Sequence, residues 1–358
     1  LWLSDKINKP ILKLVDEDYT ENGMADLLTE RGSAYDLNIE QFNRTQHTIT
    51  GWPGGKPDAD DSHRPERAAP YPKRCLVLSP EPLDDVLAMG GTLHRLVDQG
   101  HEVTVAYLTS GNLAVSDAEV EKALDWIGEL GQDHEGGEIA AFARAVQKQL
   151  SAKGNDKGDT PEIRKWKATI RRSEARASAR ILGLQEDQLV FLDLPFYESG
   201  RYRRFVSGPE DRETLYGLIE NIRPHQIFTT GMGHDPLTPA AIGFETFLSA
   251  MNQFNGQDWL NDCCIWLFRG LGQEWDTHEL EMAVPLSPEE LENKVQGIYQ
   301  HQTQRSQTPS VSGRVTMEPG VRGSRTTQSG RTATPRPEAT RRSITADSST
   351  CRMLRGST

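Results

Sequence analysis

The stretch "LVLSPEPLDDVLAMGGTLHRLVDQGHEVTVAYLTSGN", residues 76–112, constrains the fold more than any other part of the chain. A short apolar run stops at Ser79, an acidic loop follows, and a helix-spaced apolar pattern then runs to Gly100. A second apolar run, "EVTVAYLTS", begins at Glu102. Two strands joined through a helix read as parallel, because the helix carries the chain back to the starting end of the sheet. The alternation recurs downstream. Helix spacing in "PEIRKWKATIRRSEARASARILG" leads to a strand in "QLVFLDLP", and "PEDRETLYGLIENIRP" leads to one in "QIFTTG". After the helix "PAAIGFETFLSAMNQF" come expected strands "CCIWLFRG" and "LEMAVPL", then a last helix, "SPEELENKVQGIYQHQ", capped by Ser287. This pattern predicts an α/β fold with a doubly wound, mostly parallel sheet, and ligands are expected beyond the C-terminal ends of its strands.

Outside that core the composition changes. Residues 1–46 alternate apolar and charged positions at helical spacing. Residues 47–73 are crowded with Pro, Gly and Asp, which oppose helix and sheet, and read as a linker. The main domain is expected over 74–305, with a polar stretch at 113–158 that holds one short helix around "EIAAFARAVQKQL". Residues 306–358 lack Phe, Trp, Tyr, Lys, His and Asn and are dense in Arg, Ser and Thr. Such a segment buries too little to offset its ordering entropy, so a disordered tail is expected. Arginine without lysine also fits out-of-frame translation, and a basic nucleic-acid arm is the other reading.

Charge excludes several partners. The chain carries −12, but residues 305–358 hold ten arginines against three acidic residues, leaving about −19 on the rest. An acidic body argues against nucleic acid or an anionic membrane as partner. Cys75, Cys263, Cys264 and Cys351 show no CxxC spacing, so neither a disulfide framework nor a zinc knuckle is indicated. No apolar run reaches membrane-spanning length and no leader pattern opens the chain, so a cytoplasmic protein is the expectation. The chain begins on Leu1 in mid-pattern, as a piece of a longer protein would.

The stretch "SPEPLDDVLAMGGTLHRLVDQGHEVTVAYLTSGN" resembles the first motif of the LmbE/PIG-L family of zinc-dependent N-acetylsugar deacetylases. Members read approximately Pro-His-Pro-Asp-Asp, then carry a glycine pair on the following helix. "IRRSEARASARILGL" resembles that family's Arg- and Glu-bearing helix, and "FLDLPFYESG" its next strand and loop. A narrower likeness is to a two-part bacterial architecture whose rear half is LmbE-like and whose front half resembles glucosamine-6-phosphate deaminase. Residues 1–46 resemble the end of that front half, residues 47–73 the joining segment, and "EWDTHELEMAVPLSPEEL" the close of the rear half. The resemblance covers residues 1 to about 305 and implies a Rossmann-like sheet. It also implies an N-acetylated amino sugar as substrate, a missing upstream deaminase-like domain as partner, and a homo-oligomer as one possible assembly.

Family chemistry holds Zn²⁺ on two histidines and an aspartate with open positions, which lowers the pKa of bound water. A carboxylate then takes the water's proton and a histidine helps the tetrahedral intermediate. Matched residue by residue, the loop's ligand histidine falls on Glu81, the base on Leu83 and the ligand aspartate on Asp84. In the second motif, Asp-Pro-His-x-x-His, Asp235 and Pro236 match, but the histidines fall on Leu237 and Ala240. The resemblance thus implies zinc, while the matched residues predict that zinc is not held and that hydrolysis is impaired. A rebuilt site would use Asp84, Glu81 and His234 as metal donors and Asp85 or Glu81 as the acid–base group. Its oxygen donors would favour Mg²⁺, Ca²⁺ or Mn²⁺. Glu81, Asp84 and Asp85 also admit a simpler reading as helix-entry carboxylates favoured by the helix dipole.

Other candidates are Asp193, Tyr197 and Glu198, placed at a strand's C-terminal end where they could meet sugar hydroxyls. Arg172 reads either as a helix-surface partner of Glu174 or, by the resemblance, as a sugar contact. Gly90-Gly91 lacks phosphate-loop spacing and reads as close packing. Cys263 and Cys264 read as small apolar residues of a strand. His63 reads as a solvated linker residue, His94 and His101 as surface residues, and His301 as exposed or helix-end. His225 reads as facing away from the pocket, whereas His278 is open to either side. The expected function is an impaired or inactive deacetylase scaffold in amino-sugar metabolism. Alternatives are a non-catalytic sugar-binding or scaffolding domain and a decayed gene product.

Overall fold

The computed structural model describes residues 1–304 apart from 61, 63, 65, 131–136, 154–157, 200–204, 232–234 and 271–274, together with Arg352 and Met353. Four short helices come first: α1 (Trp2–Ile7), α2 (Asp16–Glu21), α3 (Ala25–Arg31) and α4 (Ala34–Thr48). They enclose a small core of Leu3, Leu14, Tyr19, Ala34 and Leu37. The main domain then runs β1 (Arg74–Ser79), α5 (Asp84–Asp98), β2 (Glu102–Tyr107), α6 (Asp117–Leu130), α7 (Gly137–Ala152) and α8 (Pro161–Ile181). It continues through β3 (Leu189–Phe191), α9 (Pro195–Glu198), α10 (Pro209–Ile222), β4 (Gln226–Thr230), α11 (Pro239–Met251), β5 (Cys264–Phe268) and α12 (Pro288–Tyr299).

The sheet order is β3-β2-β1-β4-β5, all parallel, with the two-residue β6 (Arg352–Met353) antiparallel at the β5 edge. Val77 sits at the centre, in register with Val105 on one side and Phe228 on the other. A central parallel strand is covered on both faces, which explains the continuous apolar run of β1. Its side chains alternate. Cys75 and Val77 enter the core under α5 and α8, while Leu76 and Leu78 enter the core under α10 and α11. The chain builds β2 and β3 on one side of β1, then crosses to add β4 and β5 on the other. The crevice between the C-terminal ends of β1 and β4 is therefore the topological switch point.

Three expectations need correction. "LEMAVPL" forms no strand; it contributes an isolated bridge from Ala283 to Ile49 and sends Met282 and Val284 into the core. An apolar run alone does not separate a strand from a buried loop. The polar stretch 113–158 holds two helices rather than one, α6 and α7, which pack on the start of α8 through Val120, Leu124, Val146 and Ile163. Of residues 47–73, His47 and Thr48 end α4 and the other described residues form no helix or strand, but they are docked: Thr50 N donates to Ala283 O at 2.9 Å, and Gln226 Nε2 donates to Pro53 O at 3.1 Å. The tail after Gln304 lies outside the described residues except for Arg352 and Met353.

Candidate functional site

The loop after β1 is built by hydrogen bonds at both ends. Ser79 Oγ donates to Glu81 O at 2.7 Å and accepts from Asp85 N at 3.2 Å. Thr109 N and Oγ1 both donate to Pro80 O, tying the loop to the end of β2. Glu81 N donates to Asp84 Oδ2 at 3.1 Å across the entry of α5. Leu83, at the N-cap, holds φ 109°, a region that side chains other than glycine rarely occupy. Strain of this kind concentrates where a loop is held in one functional shape.

Each loop carboxylate faces a different partner. Glu81 takes a hydrogen bond from Tyr197 and feels the Arg171 charge; burial raises its pKa, and Arg171 opposes the rise. Asp84 is pushed up to about 7, first by burial and then by the charge of Glu81. Asp85 is buried and accepts from Tyr107 OH at 3.0 Å; burial raises its pKa and the Tyr107 bond opposes it. Its Oδ1 has no hydrogen-bond partner. Asp85 therefore points toward Tyr107 of β2, Glu81 toward Arg171 of α8 and Tyr197 of α9, and Asp84 back onto Glu81.

The end of β3 supplies the remaining predicted residues. Tyr197 is buried, and its hydroxyl accepts from Leu113 N at 3.4 Å. Glu198 accepts from Ser110 N at 3.0 Å and from Asn112 Nδ2 at 3.1 Å; burial raises its pKa and the Ser110 bonds oppose the rise. Both side chains thus hold the loop after β2. Asp193 pairs with Arg172, whose guanidinium lies 5.4 Å from the Phe191 ring centroid, and about a third of each side chain is exposed. Arg172 is partnered with Asp193 rather than Glu174. Glu174 turns inward to Arg171.

The β4 side of the crevice differs. Asp235 is exposed and its Oδ1 accepts from Leu237 N at 2.9 Å. Leu237 is 64% exposed. Thr238 caps α11, accepting from Ala241 N at 3.2 Å, and Ala240 lies in its first turn. His234 and His63 lie outside the described residues.

Other histidines depart from expectation. His101 is buried, accepts from Lys73 N at 3.1 Å and meets Tyr71 edge-on. His301 is buried with neither ring nitrogen hydrogen-bonded. His94 is partly buried, with Nδ1 at 3.2 Å from Leu182 O. His225 accepts from Arg74 N at the opposite end of the sheet, as expected, and His278 is exposed beside α1 and α4. Cys264 opens β5, and burial pushes the neighbouring Cys263 thiol up to about 12, which leaves it unreactive. Gly90 packs on α12, where an added Cβ would meet Lys294 Cγ at 3.0 Å.

Arg171, Ser110, Asn112 and Tyr107 complete the site and were not singled out in the sequence. A signal existed for the first. Ile163, Lys167, Ala168, Arg171, Glu174, Ala175 and Ser178 form the buried stripe of α8 at three- and four-residue spacing, so Arg171 falls on the inner face and Arg172 does not.

Among the described residues, no group of three or more His, Cys, Asp or Glu side chains is placed to hold a metal ion. The donors among the described residues are oxygens turned to separate partners, a set that does not fit zinc. What remains is a half-buried carboxyl cluster braced by Arg171, Tyr107 and Tyr197. It can exchange protons and order its own loops. No helix among the described residues is long and apolar enough to cross a membrane.

Comparison with known proteins bears on this geometry. The chain is 46% identical over 314 residues to a glucosamine-6-phosphate deaminase-like protein of Bacteroides thetaiotaomicron, covering 86% of this chain and 47% of that one. It thus spans about half the length of that curated relative. Among solved structures it is similar to the N,N'-diacetylchitobiose deacetylase of Pyrococcus horikoshii, at 19% identity and a TM-score of 0.41, over 65% of this chain and 70% of that one. It is also similar to the zinc-inhibited form of teicoplanin deacetylase Orf2, at 16% identity and a TM-score of 0.38, over 64% and 84%. Residues 76–237, which span the switch-point crevice from β1 to the loop after β4, match the profile described as PIG-L: GlcNAc-PI de-N-acetylase, so this segment is a PIG-L (LmbE-like) deacetylase family domain.

Proposed function

We propose that this domain keeps the scaffold of an N-acetylsugar deacetylase of amino-sugar metabolism and is impaired in metal-dependent amide hydrolysis. The family is one of zinc-dependent deacetylases. The observation that carries the reading is Glu81. It stands where the family's loop has a ligand histidine, and its carboxylate is engaged by Tyr197 and faced by Arg171. Two positions on, Leu83 replaces the residue that would take the water's proton and has no group to do so. Asp85 is turned to Tyr107 and is a poor substitute. Leu237 and Ala240 supply no donor from the β4 side.

The test is metal content and acetate release by the purified chain with N-acetylglucosamine conjugates. The expected result is substoichiometric zinc and no acetate above buffer. Restoring donors with Glu81→His, Leu83→Asp, Leu237→His and Ala240→His together should bring zinc binding to roughly micromolar or tighter. Stoichiometric zinc with acetate release by the unaltered chain would refute the proposal.

A second reading is a non-catalytic sugar-binding or scaffolding domain. The part-exposed Arg172–Asp193 pair at the strand ends supports it, since a guanidinium beside a carboxylate can donate to and accept from hydroxyls. Sugar binding without acetate release would favour it. For the upstream partner, residues 1–46 are proposed as the end of a deaminase-like unit. The exposed face of α4 that carries Tyr35, Ile39 and Phe42 supports this, because four short helices leave it uncovered. Deaminase chemistry, homo-oligomerisation and a cytoplasmic location belong to the same proposal.

A further inference from the structure

Arg171 is 1% exposed, and a charge that deep must be paired and hydrogen-bonded to be tolerated. Its Nη2 donates to Pro82 O, in the loop after β1. The guanidinium also lies against the loop after β2: a Cβ on Gly111 would meet Arg171 Nε at 3.0 Å. One side chain therefore touches the loop after β1 and the loop after β2, which together form the β1 side of the crevice.

What aims Arg171 is Glu174, three residues on, which accepts from Arg171 Nη1 at 3.3 Å. Glu174 is itself fixed from the other end of the chain. Its Oε1 accepts from Thr303 N at 2.8 Å and its Oε2 from Thr303 Oγ1 at 2.8 Å. Gln304 Nε2 donates to Thr303 Oγ1 at 2.9 Å and to Ala114 O at 3.2 Å, reaching the loop after β2 directly. Thr303, Gln304 and Glu174 are all buried, so these bonds form in a low dielectric where their direction is enforced.

We infer that the C-terminal turn Gln302–Gln304 is a strap that sets the shape of the crevice, with Glu174 and Arg171 as positioning residues that transmit its hold to the loops at 80–84 and 109–114. The strap acts on whatever ligand the crevice takes, and it stands whether or not zinc chemistry survives. It makes the integrity of a site built near residue 80 depend on three residues more than two hundred positions away.

Hydrogen exchange followed by mass spectrometry on the full chain tests this. Loss of a buried hydrogen bond to a charged group should raise local opening by about tenfold or more. In Glu174→Gln, the amides of Glu81, Asp84, Ser110 and Leu113 are expected to exchange about tenfold faster, while those of β1 and β4 stay at parental rates. Thr303→Val, which keeps the backbone bond, should give a smaller rise in the same segments, and Thr303→Ser should match the parent. A chain ending at Gln304 should also match the parent. Parental exchange of the loops in both Glu174→Gln and Thr303→Val overturns the inference. So does acceleration spread equally over β1 and β4, which would make the turn a general stabiliser. Faster loop exchange in the chain ending at Gln304 overturns it too, by assigning the hold to the tail.

Discussion

Asp84 and Asp235 follow neighbouring strands, β1 and β4, on the two sides of one crevice, yet their surroundings are opposite. Asp84 is partly buried among carboxylates, with its carboxyl pushed up to about 7, in a loop clamped from α8 and α9. Asp235 is exposed and caps its own turn next to a leucine open to solvent. The β1 side is held by the fold. Removing a polar group there strands its partners in a low dielectric, so these residues are needed whether or not any ligand is bound. The β4 side has no such partners among its described residues, so it can change at little cost to stability. That asymmetry sets a loop whose carboxylates are held by the fold opposite Leu237 and Ala240.

The largest effect is expected from Arg171→Met. It leaves Glu174 without its cationic partner and Pro82 O without its Arg171 donor, and should lower unfolding free energy by about 3–5 kcal/mol in urea titration. Asp235→Ala should stay within about 0.5 kcal/mol. Equal losses from the two would break the comparison.

A pH series extends it to the far end of the sheet. Burial, reinforced by the Lys73 charge, lowers the His101 pKa to about 4. Below about 6.5 the unfolded chain takes up a proton that the folded one resists, so this contribution is complete at neutral pH and lost as pH falls toward 4. It amounts to about 3 kcal/mol at most. The loop carboxylates, raised by burial, act with the opposite sign between the ordinary carboxylate range and their folded values. Denaturation of the parent and of His101→Gln at pH 7 and pH 4.5 isolates the histidine. An unchanged difference between the two proteins would remove it.

Two smaller effects refine the contrast at the helix entries. Thr238→Ala removes the cap of α11 and should cost about 1 kcal/mol in thermal unfolding. Leu83→Gly relieves φ 109° but gives up contact with the core, so a net change below about 1 kcal/mol is expected. A loss above about 2 kcal/mol would show that Leu83 packs the entry of α5 rather than straining it.

Much of the fold was legible. β1, β2, β4 and β5 coincide with apolar runs that only a sheet covered on both faces can bury, and the α5, α8, α10, α11 and α12 helices follow their periodicity and caps. "LEMAVPL" was misread because burial, not strand pairing, makes a run apolar. The end of the sheet that carries the acidic loop and the end of β3 was legible as well. Tyr197 and Glu198 were expected to face a ligand, and in the fold both hydrogen-bond the loop after β2. Their position in the sequence says which strand end they occupy and nothing about which way they face.

Residue order determined the alternation of strands and helices, and with it the parallel sheet and the end at which a site forms, because periodicity and turn chemistry act over a few residues. It also determined that the side chains of Leu237 and Ala240 offer no lone pair, wherever they are placed. Tertiary structure alone decided that Arg171 rather than Arg172 governs the crevice, that His101 and His301 are buried, and that Thr303 reaches back to Glu174. Those outcomes depend on contacts between distant segments, whose energies are fixed by burial and mutual geometry and leave no local trace in the chain.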